Sequence, residues 1–392
     1  MKRVILILSL FMLWLPLMAQ SGIEEAVRLI EANNKTLAAL RAETGAQVLE
    51  SQTGLFPPGP ELGFAYLWGH PESLGPRKNL SLMQSFDFPT AYGHRSRIAG
   101  ERRNQLEAAY AGQWLAIRLE ATLLCLELVH ANALGRELED RLEHARELQA
   151  AWARKLEAGD ASLLDYNKAS LNFLDREQAV RRHEIERERL LAELRRLNGG
   201  MPLELTDDRF PDAVIPADFE SWFEAGAPGI PLLQQLRQEV EISKMEEKLQ
   251  RAQNLPSLSA GYTSEALTHE GFRGVAVGVS IPLWENKNTL RLARARTLAA
   301  EEIRADGQLY VHNSLKALHA EALDLQKGLE VYRQGLGQAD HMPHLDRALK
   351  ENRISLLQYL TEISYYYQSK DRMLRMELDL HRAVARLKQY QP

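Results

Sequence analysis

Ser162-Leu163-Leu164-Asp165-Tyr166 returns as Ser355-Leu356-Leu357-Gln358-Tyr359, an offset of 193 residues (355 − 162). Phe88-Pro89 and Ile281-Pro282 keep the same offset (282 − 89 = 193). In both halves the proline closes an alternating, strand-like run, and the Ser-Leu-Leu-x-Tyr segment lies inside a long helical stretch. The chain therefore reads as one unit copied in tandem, a strand hairpin followed by very long helices.

The alternation is clearest in Leu62-Gly63-Phe64-Ala65-Tyr66-Leu67-Trp68, where Leu62, Phe64, Tyr66 and Trp68 share a face and Gly63 and Ala65 take the other. After a loop at 69–78, Leu80, Leu82, Phe86 and Phe88 alternate with Ser81, Met83, Ser85 and Asp87. The second copy sets Leu258, Ala260 and Tyr262 against Ser259, Gly261 and Thr263, then Val275, Val277, Val279 and Ile281 against Ala276, Gly278 and Ser280. Each hairpin thus has an apolar face and a small or polar face.

Helices frame the hairpins. Residues 23–53 read as one amphipathic helix, with Ala26, Leu29, Ile30, Leu37, Leu40 and Val48 near one face, stopped by Gly54 and Pro57-Pro58-Gly59-Pro60. No proline interrupts the chain between Pro89 and Pro202, so a helix over 92–158 would reach about 100 Å at ~1.5 Å per residue. In the second half Leu315, Ala322 and Leu329, and likewise Leu318, Leu325 and Tyr332, stand seven apart, a period that implies left-handed supercoiling. The proline-rich stretch 198–229, with Phe210, Phe219, Trp222 and Phe223, reads as a link packed on helices. The predicted organisation is a signal peptide at 1–19, a first repeat at 20–198, a linker at 199–229 and a second repeat at 230–392.

The first residues are Met1-Lys2-Arg3, then an apolar run ending Leu17-Met18-Ala19, the pattern of a secretory signal cut after Ala19. Its loss moves the formal charge from −5 to −7, since two cations leave. No cysteine follows the cut to carry a lipid, and the lone Cys125, in Leu123-Leu124-Cys125-Leu126, reads as a packed thiol. No other stretch has about 18 consecutive apolar residues, so a membrane-spanning helix is not expected. The acidic balance and dispersed Lys and Arg argue against a nucleic-acid partner.

Two places remain open for the four strands. They could form a small soluble sheet capping helices, or they could belong to a transmembrane barrel. In a bilayer every backbone polar group must be paired, so a sheet there must close. Four strands cannot close, because barrels begin at about eight strands, and this chain would need copies of itself. Two chains would give a filled interior and three an open lumen lined by the small residues. In that case Leu62, Phe64, Tyr66, Leu80, Leu82, Phe86, Val275, Val277 and Val279 face lipid.

The chain resembles the TolC-like outer-membrane efflux factors. The resemblance spans the mature chain and rests on Ala32-Asn33-Asn34-Lys35-Thr36-Leu37, Gly54-Leu55-Phe56-Pro57, Asn254-Leu255-Pro256-Ser257-Leu258 and Gly278-Val279-Ser280-Ile281-Pro282-Leu283. The stretches 157–164 and 351–357, where the helices reverse, complete it. It implies a mainly α fold with a small β part. Three chains would share a 12-stranded barrel in the outer membrane of a Gram-negative bacterium and an α-helical tunnel in the periplasm. The implied partners are a periplasmic adaptor and an inner-membrane pump. Arg353-Ile354-Ser355-Leu356-Leu357-Gln358-Tyr359-Leu360 is most similar to the heavy-metal branch, so the cargo is either metal cations or small molecules.

The two reversing tips are the main candidate sites. Gly159 and, at the same offset, Asn352 suit a left-handed turn. Asp160, Ser162 and Ser355 can cap the next helix. Leu163, Leu164, Leu356 and Leu357 could offer apolar knobs to an adaptor, or could only stitch helices together. Arg353, Asp165 and Tyr359 are candidate gate residues, by inter-helix pairs released on docking. His341-Met342-Pro343-His344 invites a metal reading, but Pro343 marks a helix start or break and a structural kink is the simpler account. His70 and His269 are explained by loop composition.

No nucleophile, metalloprotease or phosphate-loop motif occurs. The expected function is a passive exit duct, with no enzyme activity, no cofactor and no metal. The alternatives are a periplasmic adaptor, which should have β-rich segments around one helical hairpin, and a coiled-coil scaffold with a soluble β cap.

Overall fold

The computed structural model describes residues 22–71, 73, 75–338 and 342–390, so the predicted signal peptide and His341 lie outside the described residues. The element order is α1 (Gly22–Asn33), α2 (Lys35–Ser51), β1 (Glu61–Leu67), β2 (Arg77–Phe86), α3 (Pro89–Glu157), α4 (Leu163–Leu197), α5 (Phe219–Gly226), α6 (Pro231–Gln253), β3 (Ser257–Ala266), β4 (Gly271–Ser280), α7 (Thr289–Gln338), α8 (Met342–Lys350) and α9 (Leu356–Leu387).

The contacts divide the chain into two compact units. One comprises the described parts of 1–34, 120–213 and 325–382, and the other those of 35–119, 214–324 and 383–392.

The second of these units contains the sheet. Its order is β1-β2-β3-β4, and every neighbouring pair is antiparallel. Directly opposed residues in such a ladder point to the same side, so the register assigns the faces. Leu62, Leu82, Tyr262 and Val275 form one row, and Phe86, Leu258 and Val279 another. All nine residues predicted to face lipid therefore share one face. Gly63, Ala65, Ser81, Gly261, Ala276, Gly278 and Ser280 share the other. Four polar residues share the apolar face: Lys78, Ser264 and Arg273 toward one end of the sheet and Gln84, opposite Ala260, within it; the Gln84 side-chain amide donates to the Pro58 carbonyl at 2.5 Å.

The same unit is held by a core of Phe219, Ile230, Val311, Leu315 and Leu387. The sequence reading had 198–229 as linker throughout, yet Phe219–Gly226 is helical. Asp218 caps it by accepting from the Ser221 N–H at 2.9 Å. His319 reaches the Pro216 carbonyl at 2.8 Å and so pins the chain entering α5.

In the other unit the helix expected over 23–53 ends at Asn33, with Asn34 outside both α1 and α2. Asn34 is 5% exposed and its amide donates to the Leu197 carbonyl at 2.9 Å. That buried bond satisfies the end of α4 and outweighs helix continuity at this position. The link residues Leu203 and Leu205 are buried, and Phe210 stacks on His381 with centroids 4.6 Å apart. Burial lowers the pKa of His381 to about 4, so it stays neutral there. The heptad residues Leu315, Ala322 and Leu329 are all buried, as a supercoil seam requires. Cys125 is fully buried, and desolvation pushes its thiol up to about 12.

Candidate functional site

The two tips are built alike. After α3, Gly159 takes φ +77°, and the N–H of Asp160 donates to the Lys155 carbonyl at 2.7 Å. After α8, Asn352 takes φ +54°, and the N–H of Arg353 donates to the Ala348 carbonyl at 2.8 Å. Both are helix ends closed by a left-handed residue and a six-to-one hydrogen bond. Each following helix opens with a serine cap. Ser162 accepts from the Asp165 N–H at 3.1 Å, and Ser355 from the Gln358 N–H at 3.2 Å. Gln358 returns the bond by accepting from the Ser355 N–H at 2.9 Å, a capping box. Asp160, the other proposed cap, lies in the turn itself.

The charges at the tips are paired locally. Asp165 accepts from the Ser162 hydroxyl at 2.7 Å and from Lys168 at 3.2 Å. The serine bond first, then Lys168, holds its carboxyl below the usual range. Arg353 pairs with Glu351 at 2.8 Å.

The leucines diverge. Leu163 and Leu164 are 62% and 64% exposed, and Leu357 is 57% exposed. Leu356 is 4% exposed, packed with Leu148, Trp152, Ala169, Leu349, Tyr359 and Ile363. That is a correction to its reading as a surface knob: α8 and α3 cover this side chain and make it tip core. Tyr359 lies in the same buried cluster. It is 1% exposed, and its hydroxyl donates to Asp346 Oδ1 at 2.6 Å while His144 Nε2 lies 2.6 Å from the same oxygen. Burial, then Asp346, raises its pKa. It ties α3, α8 and α9 together instead of standing at a free surface. Beside it a cleft of about 600 Å³ is lined by His144, Trp152, Lys155, Asp346 and Lys350 among others.

One interior network had no sequence expectation. Arg141, 3% exposed, grips both carboxylate oxygens of Asp371 at 2.7 and 3.2 Å. Its guanidinium lies 4.5 Å from the Tyr367 ring centroid, and Arg176 lies 5.4 Å from the same ring. Burial pushes the Tyr367 hydroxyl up to about 12. Nothing distinguishes Arg141 among the charged residues of 136–147, which is why it escaped notice.

Among the described residues no group of three or more His, Cys, Asp or Glu could hold a metal ion, and no helix is long and apolar enough to cross a membrane. The apolar sheet face, by contrast, is open: Leu62, Phe64, Val275, Val277 and Val279 are between 60% and 85% exposed. The outer edges of β1 and β4 carry no strand partner among the described residues.

No family model matches the sequence, and no curated protein matches it either. Solved structures do. The chain superposes on CusC, described as forming a transmembrane channel, with a TM-score of 0.79 at 15% identity over 94% of this chain and 91% of that one. It matches the outer-membrane channel OprN with a TM-score of 0.76 at 16% identity, over 94% and 89% of the two chains. For the outer membrane protein VceC of Vibrio cholerae the TM-score is 0.75 at 12% identity, over 94% of each chain.

The chain has the TolC-like fold. It is mainly helical, with one four-stranded antiparallel sheet and helices that reverse at two similarly built tips.

Proposed function

We propose that this chain is the outer-membrane exit duct of a tripartite efflux system. The observation that carries the reading is the sheet. Four strands with an exposed apolar face and two unpaired edges are incomplete in water and forbidden in lipid, and copies of the chain pairing β1 to β4 remove both faults. Three copies give twelve strands and an open lumen faced by the small residues. The fold shared with outer-membrane channels supports this reading.

In it the chain is a passive homotrimer in a Gram-negative outer membrane, with no catalysis of its own, and its α-helices form a periplasmic tunnel. The repeats run over 20–198 and 230–392, joined by 199–229. The tips dock a periplasmic adaptor and an inner-membrane pump through Gly159, Asp160, Ser162, Leu163, Leu164, Asn352, Arg353, Ser355 and Leu357. Asp165 and Arg353 are the charges available for gating. The cargo is small molecules or metal cations.

The deciding experiment is the native mass after extraction from outer membranes in mild detergent, by light scattering with the detergent subtracted. A mass of three chains, found only in the detergent fraction, is expected. A monomer soluble without detergent would sink the duct.

A further inference from the structure

The two strand-to-helix elbows occupy equivalent places in the repeat but treat charge differently. In the first, the Asp87 N–H donates to the Tyr92 hydroxyl at 2.8 Å, Arg95 pairs with Asp87, and the Arg95 guanidinium lies 5.4 Å from the Tyr92 ring centroid. There the carboxylate nearest the helix start takes the first arginine, and Arg97 is the one exposed cation before residue 100. The second, residues 281–288, is a turn in which the Lys287 N–H donates to the Trp284 carbonyl at 3.2 Å and Asn288 takes φ +69°. The Asn286 side-chain amide ties it to the Gln253 carbonyl at 3.0 Å.

Around this second elbow Lys287, Arg291, Arg294 and Arg296 stand against one carboxylate, Glu285. Arg294 is paired with Glu247 at 3.1 Å. Lys287, Arg291 and Arg296 are exposed, and the ion pairs among the described residues do not include them. The first turn of α7 carries no acid, although the positive end of a helix favours acids and disfavours cations. A local excess of cations at the wrong helix end, in a chain of net charge −5, calls for an external anion. Beside these cations, Ile281, Leu283 and Trp284 are 62%, 72% and 78% exposed and continue the exposed apolar row of β4. Along the chain the order is apolar, aromatic, cationic. A leaflet presents the same order as hydrocarbon, interface and anionic headgroup.

We propose that the second elbow is a docking surface for an anionic phospholipid leaflet, with Trp284 at the headgroup level and Lys287, Arg291 and Arg296 against lipid phosphates. This rests on the sheet being the membrane-spanning part. The first elbow, where Asp87 takes Arg95 and one exposed cation is left before residue 100, takes a smaller part.

The test is flotation of the purified full chain with vesicles of phosphatidylcholine alone and of phosphatidylcholine containing phosphatidylglycerol. Each cation close to an anionic surface is worth roughly a fivefold gain in partitioning. The wild type is therefore expected to prefer the anionic vesicles by an order of magnitude or more. That preference should collapse in about 0.5 M salt, where screening acts within roughly 5 Å. The combined Lys287→Gln, Arg291→Gln, Arg296→Gln variant should float equally with both vesicles while keeping the wild-type native mass. Glu285→Gln, which removes the one acid between residues 281 and 296, should strengthen the preference. Equal flotation of the wild type with both vesicles, or a preference retained by the triple variant, overturns the proposal. Flotation with neither vesicle overturns the duct reading itself, and the elbow proposal with it.

Discussion

At the first tip Leu163 and Leu164 are both more than 60% exposed, while Leu356, 193 residues on from Leu163, is 4% exposed. The two tips share a left-handed reversing residue, a six-to-one bond and a serine cap. Local sequence sets that frame, because every bond in it spans at most five residues. What differs is the company each tip keeps. The second is backed by Leu349 and Asp346 of α8 and by His144, Leu148 and Trp152 of α3. The first leucine and the tyrosine of the Ser-Leu-Leu-x-Tyr segment are therefore core in the second copy, while in the first the leucine is exposed and the tyrosine half-buried. The second tip buries its first leucine, and the first tip leaves both of its leucines exposed.

The largest difference should appear on placing a charge at equivalent leucines. Leu356→Asp buries a carboxylate in an apolar cluster and is expected to cost ~3–5 kcal/mol or to abolish folding. Leu163→Asp should change stability by no more than about 0.5 kcal/mol while weakening adaptor binding. Thermal unfolding of the two variants, with adaptor pull-down for the second, checks the pair. Equal destabilisation would erase the distinction between the tips.

Next comes the tyrosine. Tyr359→Phe strands Asp346 and His144 and should cost about 1–3 kcal/mol. Tyr166→Phe, at the same place in the first copy, should cost less than ~0.5 kcal/mol, because Tyr166 is only half-buried. Denaturant midpoints decide it.

A smaller contrast lies in the reversing residues. Gly159 has open space where a Cβ would go, so Gly159→Ala pays only the left-handed backbone, about 1–2 kcal/mol. Asn352→Gly relieves that same constraint and should be neutral or stabilising by a few tenths, roughly. Hydrogen exchange at the amides of Asp160 and Arg353 would report both.

How far the sequence reaches follows the same division between local and distant causes. The hairpins were readable because alternation with a period of two survives any packing, and the register bears out the assigned faces of the residues within the strands, while the polar Lys78, Gln84, Ser264 and Arg273 gave no sign of their place on the apolar face. The helical reversals were readable because Gly159, Asn352 and the serines act within one turn. The burial of Leu356 was not readable, because it depends on Leu148 and Trp152 of α3, some two hundred residues away in the chain. Asn34 broke an expected helix for a similar reason: its partner is the Leu197 carbonyl, 163 residues away. The Arg141 network was invisible, since its meaning lies in Asp371 and Tyr367 and not in its own neighbours.

The smallest predicted contrast is pH dependence, and it separates the tips most cleanly. Asp165 and Gln358 hold the same position behind their capping serines, but only Asp165 titrates. Its folded pKa lies below the ordinary value of 3.8, chiefly through the Ser162 hydroxyl and then Lys168. A carboxyl whose folded pKa is depressed binds protons more weakly in the folded state. Its stabilising contribution is therefore present above 3.8 and lost as pH falls through the lowered value. The first tip should loosen on acidification toward that window while the second, capped through an amide, keeps its protection. Comparing the exchange rates of the Asp165 and Gln358 amides across pH 3–5, after correction for intrinsic exchange at roughly the same temperature, measures this directly. Asp165→Asn should abolish the difference and make the first tip behave like the second. If both tips lose protection together, the loosening belongs to the whole unit and the serine–aspartate cap is not its origin.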